Sequence, residues 1–193
     1  MTNPPQIQFD ADTHTYTLNG RPVPSVTQIN DATLGSGFQA DDYYLKRGSA
    51  NHACYALIAQ GQEFDCDLES AGFVKGCRLF FNEAQPQVLA VEKRVYSVRH
   101  QFAGTLDLLA VMPGMKMPVI LDWKGSLNNR LPFQLAGYAI ALEEMAGIKT
   151  AGGIGIQITG DGLYQTSHLF DLKQERREFP SLRVTWGIKQ RMG

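Results

Sequence analysis

The residues whose types could do chemistry meet first in VILDWKGS, residues 119–126. Three apolar residues mark a buried strand, and then Asp122 and Lys124 interrupt it two positions apart. In a strand, residues i and i+2 share a face, so an acid and a base emerge together from an apolar element. Burying unpaired charge is costly, so such a pair asks for a purpose. Asp107 poses the same question in FAGTLDLLAV, residues 102–111. The turn PGMKM (113–117) lets the two strands pair antiparallel, which brings both carboxylates to one end of a sheet. Carboxylates that close raise each other's pKa unless a cation neutralises them. A hard divalent ion with oxygen ligands does this. Lys124 then stabilises a developing anion or orients a water. The set suits metal-assisted hydrolysis of a phosphodiester, in which the ion polarises a phosphoryl oxygen and lowers the pKa of a water. Lysine offers a point charge to the transition state. The plainer alternative makes Asp107 and Asp122 solvated strand ends, with Lys124 a surface partner.

The elements that must position these residues follow from periodicity. Residues 7–19 alternate, and Asn19-Gly20 signals a small N-terminal β-hairpin. Pro24-Ser25 opens a short helical turn with Ser25 as cap. Residues 35–40 are loop-like. Residues 41–60 predict one or two helices, with Tyr44, Leu45, Ala53, Ala56 and Leu57 at helical spacing. Residues 70–85 predict an amphipathic helix that stops before Pro86. Strands are predicted over 88–98, 101–112 and 118–124, and a helix over 131–146 with Leu135, Tyr138, Ala139 and Leu142 on one face. Residues 152–159 and 163–170 form a hairpin across Gly160-Asp161-Gly162. A charged helix begins near Asp171 and is interrupted at Pro180. This order implies an α/β sandwich around one mixed sheet, with residues 1–193 as a single domain.

Composition bounds the partners. The chain has 193 residues, 44 % apolar and 19 % charged, with a formal net charge of −1, which reads as globular rather than disordered. That balance argues against a broad basic coat, although a local basic groove depends only on where charges sit. No run approaches the ~18 apolar residues that span a bilayer. The start MTNPPQIQFDADTH has no basic segment followed by an apolar core, so the expectation is no membrane and a cytoplasmic protein. Cys54, Cys66 and Cys77 form no C-x-x-C, which points to reduced thiols rather than a disulfide framework or zinc knuckle. His14, His100 and His168 have no metal-like spacing. The basic residues Arg176, Arg177, Arg183, Lys189 and Arg191 read as a solvated face.

The surroundings of the acid–base pair carry a resemblance. RGSANH (47–52), AVEKRV (90–95), GTLDLLAV (104–111), ILDWKGS (120–126) and QLAGY (134–138) occur in this order. The sequence resembles the PD-(D/E)XK nuclease superfamily, and within it the RecB-type and phage exonuclease branch. The resemblance implies a restriction-endonuclease-like core, a central mixed sheet flanked by helices. It makes Asp107 and Asp122 metal-binding carboxylates, the Trp123 carbonyl and His52 further ligands, and Glu92 a neighbour of the same metal. Lys124 positions or activates water. Gln134 and Tyr138 share a helix face, and in this branch such a pair contacts DNA. Arg47 and Arg130 are the candidates for phosphate contacts. The cofactor implied is Mg²⁺ or Mn²⁺, the imidazole favouring Mn²⁺. An iron–sulfur cluster is not expected, since no cysteine follows Cys77, and there is no GxxxxGK[ST] loop for a helicase motor.

The implied activity is a DNA exonuclease of phage recombination or end processing. Its implied partners are DNA, a single-strand annealing or other recombination protein, and further copies of itself, in the host cytoplasm if phage-encoded. Two rivals are a catalytically silent DNA-binding accessory protein of the same fold and a metal-dependent hydrolase of a non-nucleic phosphoester.

Overall fold

A computed structural model describes residues 5–35 and 42–192, apart from the side chains of Asp42, Tyr44 and Leu45. The loop expected over 36–40, and the helix-face positions given to Tyr44 and Leu45, lie outside the described residues. The chain opens as an antiparallel meander of β1 (Ile7–Asp10), β2 (Thr15–Leu18) and β3 (Arg21–Val23). This is one strand more than the expected hairpin. Asn19 and Gly20 form the tight second turn, both at positive φ (52° and 75°), the conformation that such a two-residue connection requires. Helix α1 (Val26–Leu34) starts at a capping box: Ser25 Oγ accepts from the Gln28 N–H, and Gln28 Oε1 accepts from the Ser25 N–H.

Helices α2 (Asp42–Ala59) and α3 (Leu68–Ala84) follow, α2 running unbroken through Gly48. Strands β4 (Gln87–Ser97), β5 (Phe102–Val111) and β6 (Val119–Lys124) are consecutive and antiparallel. Helix α4 (Leu131–Ala146) crosses over to β7 (Gly152–Ile158), which pairs parallel with β6, and β8 (Tyr164–Thr166) closes the edge. The result is an α/β fold with a mixed five-stranded sheet in sequence order, flanked by helices, consistent with a restriction-endonuclease-like core.

Each face of the sheet has its own core. On one side Leu106, Leu109 and Ile120 pack with Leu135 and Leu142 of α4 and Phe179 of α5 (Glu175–Met192). On the other, Leu108, Leu121 and Trp123 pack with Tyr55 of α2 and Phe80 of α3. Helix α4 lies close on the sheet because small residues face it. A Cβ at Gly153 would stand 2.8 Å from Leu135, and one at Gly104 2.8 Å from the Tyr138 ring.

Two expectations are corrected. Helix α5 continues through Pro180, because Phe179, Leu182 and Trp186 dock it against the core and outweigh the one bond that proline removes. The strand expected over 163–170 ends at Thr166. There the Ser167 hydroxyl accepts the Gly155 N–H in place of a backbone carbonyl while the Ser167 N–H still donates to the Gly155 carbonyl, and Phe170 rejoins by a bridge to Gly153.

Gly104→Ala forces the new methyl into Tyr138 and should destabilise the fold by about 1–3 kcal/mol, as overpacking of a tight core does. Thermal unfolding checks this, and an unchanged midpoint would refute the close seating of α4.

Candidate active site

The site begins where β5 and β6 part. Their ladder runs from Ala110 opposite Val119 to Leu108 opposite Leu121 and goes no further. The next pair would be Asp107 and Asp122. Instead of a ladder bond there, the Trp123 N–H donates to Asp107 Oδ2 at 2.8 Å. The divergence gives both carboxylates room, and Asp107 is oriented by backbone rather than by a mobile side chain.

Opposite Asp107 on β4 lies Glu92, between the pairs Val91–Leu108 and Lys93–Leu106. It adopts φ 47°, the left-handed region, in the middle of a strand. Such a conformation costs on the order of 1–3 kcal/mol in a non-glycine residue and persists where surrounding structure enforces it. A bulge at Leu89 lies just upstream. The alternating pattern expected for 88–98 is thus broken where the chemistry is. From α2, His52 approaches with Nδ1 3.7 Å from Asp107 Oδ1. One ligand atom each of His52, Glu92 and Asp107 lies within 4.8 Å of the others.

Asp122 sits beside this group and is 1 % exposed. Its Oδ2 meets the Lys124 ammonium at 2.5 Å, in an ion-pair contact without hydrogen-bond geometry. Its Oδ1 accepts from Gln134 Nε2 at 3.1 Å, and the same amide nitrogen donates to the Tyr138 hydroxyl at 3.0 Å. Gln134 and Tyr138, expected to face a DNA strand, are 9 % and 4 % exposed, and the Gln134 amide is engaged inside the protein. The Trp123 side chain points the other way, into the aromatic cluster of Tyr55, Phe80 and Phe81.

Electrostatics follow from this crowding. Desolvation, then the Asp107 charge, push the Glu92 carboxyl up to about 7, against the pull of His52. Burial would lower the His52 pKa, but the neighbouring Asp107 carboxylate outweighs it and raises it above the ordinary value. Burial likewise opposes the Lys124 cation, and Asp122 more than compensates, so Lys124 stays protonated. Burial raises the Asp122 carboxyl, against the pull of that ammonium. The donor set, one imidazole with two carboxylates, fits a divalent cation of the Mg²⁺ or Mn²⁺ kind.

The two cations expected to bind phosphate have partners within the protein. The Arg47 guanidinium stands over the rings of Tyr43 and Phe73, at 5.6 and 5.5 Å. Arg130 pairs with Asp31 at 3.4 Å and donates to the Gly35 carbonyl, holding the end of α1. Among the described residues neither Lys93 nor Arg94 forms an ion pair with Glu92. Two hollows flank the group. One of about 400 Å³ lies under the N-terminal sheet and reaches Arg94, Thr105 and Asp107, and one of about 620 Å³ runs along Gly48, His52 and Ala56 of α2.

No protein-family model matches the sequence, and no curated protein matches it as a relative. Among solved structures the chain is similar to the alkaline exonuclease LHK-Exo of Laribacter hongkongensis. The two share 11 % identity at a TM-score of 0.40, over 87 % of this chain and 91 % of that one. No helix among the described residues is long and apolar enough to cross a membrane.

The raised groups fix a pH dependence. An acid whose folded pKa lies above its unfolded value loses stability as pH rises between the two, here from about 4.5 to about 7 for Glu92. The stability His52 contributes is present below its unfolded value of 6.5 and is lost as pH climbs through the raised folded one. The metal-free protein should therefore melt lower at pH 8 than at pH 5.5, with a smaller difference in Glu92→Gln. Because ligands must be deprotonated to bind, Mn²⁺ should raise the melting temperature more at pH 8 than at pH 6. No rise with either Mg²⁺ or Mn²⁺ at pH 8 would remove the metal site.

Proposed function

We propose that this protein is a metal-dependent deoxyribonuclease of the PD-(D/E)XK type that hydrolyses DNA phosphodiester bonds as an exonuclease. One observation carries the reading: the His52–Glu92–Asp107 group stands beside a buried Asp122–Lys124 ion pair where two paired strands diverge. A structural ion pair does not need a three-ligand group next to it, and a plain metal site does not need a buried lysine. Exonuclease rather than endonuclease rests on the resemblance carried by His52 and by Gln134-x-x-x-Tyr138.

The roles follow from the contacts. His52, Asp107 and Glu92, with Asp122 adjoining, would hold the cation. When bound, the cation supplies Lewis acidity toward the phosphoryl oxygen and a water of lowered pKa. Lys124, kept protonated by Asp122, presents donors to a phosphoryl oxygen or to the attacking water and offsets charge in the transition state. Gln134 fixes the rotamer of Asp122 and thereby the place of the lysine. The Trp123 N–H fixes Asp107. In this reading Gln134 acts as a positioning residue.

Digestion of end-labelled single- and double-stranded DNA with Mg²⁺ or Mn²⁺ tests the reading. Nucleotides should be released from ends and not from covalently closed circles. EDTA should abolish release, and Lys124→Ala should lower it by about a thousandfold or more, the scale seen when an electrostatic stabiliser is removed. Gln134→Leu should lower kcat with KM nearly unchanged, because it disturbs placement and not binding. Metal-bound protein that cleaves no DNA, yet hydrolyses a small phosphodiester, would assign the site to another phosphoester.

A further inference from the structure

The two hollows beside the metal group share only two lining residues, Glu92 and His14. Both have positive φ, 47° and 52°. The strain at Glu92 is accounted for by its carboxylate reaching Asp107. His14 is at first sight unexplained, since it lies on the exposed turn between β1 and β2.

The turn holds without its ring. Asp10 Oδ1 accepts the N–H groups of Asp12 and Thr13, and the hydroxyls of Thr13 and Thr15 bond to each other at 2.8 Å. The imidazole is nonetheless fixed. A carbonyl can only accept, so the 3.2 Å contact with Ala11 O makes His14 Nδ1 the donor and sets the ring plane. The ring stands edge-on to Phe9 at 5.5 Å and 82°. The residue is exposed and lines both hollows.

The smaller hollow suits a flat ligand. Its walls carry Phe9, Tyr16 and Tyr138, with the Arg94 guanidinium 5.4 Å over Phe9. Its hydroxyls are already paired, Tyr16 with Thr105 at 2.8 Å and Ser25 with Thr27 at 2.9 Å. Tyr16 and Tyr138 are nearly buried, so the aromatic surface open there is that of the half-buried Phe9 and the exposed His14. Aromatic side chains along a strand-binding groove hold bases by stacking, and tolerate any base because each has a π-face.

We propose that His14 is a substrate-contacting residue whose ring stacks on the nucleobase next to the scissile phosphate, in the hollow under the N-terminal sheet. This rests on the deoxyribonuclease reading and adds to it where the strand lies: across the metal group, from the α2 hollow to the wall formed by the meander.

The test uses single-stranded oligonucleotides carrying 2-aminopurine at successive positions from the end, bound in Mg²⁺ to the full chain bearing Lys124→Ala so that the strand stays whole. Fluorescence should be quenched at one position near the scissile phosphate. His14→Asn removes the ring with a residue that tolerates left-handed backbone, and His14→Gly removes it with no backbone strain at all. Either should abolish the quenching and weaken binding about tenfold, the scale of one stacked base, with the melting temperature nearly unchanged. His14→Phe should restore both. Undiminished quenching and affinity in His14→Asn, in a protein whose wild type cleaves DNA, would overturn this proposal and leave the nuclease reading standing. A wild type that neither binds nor cleaves DNA would remove both together.

Discussion

A carboxylate buried in the middle of a sheet is the constraint from which the rest of this molecule follows. Asp122 has almost no contact with solvent, and an isolated buried charge is costly enough that it must be answered by a cation and by hydrogen bonds. Lys124 answers from the same strand face, and Gln134 from the facing helix. For Gln134 to reach, α4 must lie close on the sheet, which demands glycine at 104 and 153. The helix is then bound into the core by Leu135, Leu142 and Phe179. Packing and electrostatics are therefore one arrangement, in which the apolar contacts of α4 hold the amide that keeps the charge in place.

Much of this was legible in the sequence. An acid and a lysine two apart in an apolar run can only share a face, and their ion pair follows. The helix over 131–146 and the three strands before it were set by long, unambiguous periodicities, and the structure places them within a residue or two. Ser25 signalled its helix because a capping box is a local device, complete within four residues. His52 lies where the order of motifs put it, against Asp107.

What was not legible has physical reasons. A left-handed glutamate leaves no trace in composition, so the strand through Glu92 read as regular alternation, although the order of motifs had set Glu92 beside the implied metal. The burial of Gln134 depends on how closely α4 approaches, a tertiary fact to which i, i+4 spacing is blind. Sequence order gave no sign of the partners of Arg130 and Arg47, since a long cationic side chain takes the nearest carbonyl, carboxylate or ring, and here those are Gly35, Asp31, Phe73 and Tyr43. Pro180 was over-read, because its effect on a helix is local while the docking of Phe179 and Trp186 is not. His14 was passed over for want of a spacing, since the turn that aims it is built by other side chains.

The dependence of Asp122 on Gln134 also bears on synthesis. Chain elongation delivers β5 and β6 before α4, so a nascent chain that has emerged only as far as Lys124 carries its acids and its lysine without the amide that holds them. The strand pair then exposes a charged, unsupported edge, and its partner β7 lies further downstream still. The full set of contacts around Asp122 is assembled only once the second half of the chain has left the ribosome. A chain stalled before α4 therefore carries the two acids and the lysine without the contacts that hold them in the folded protein.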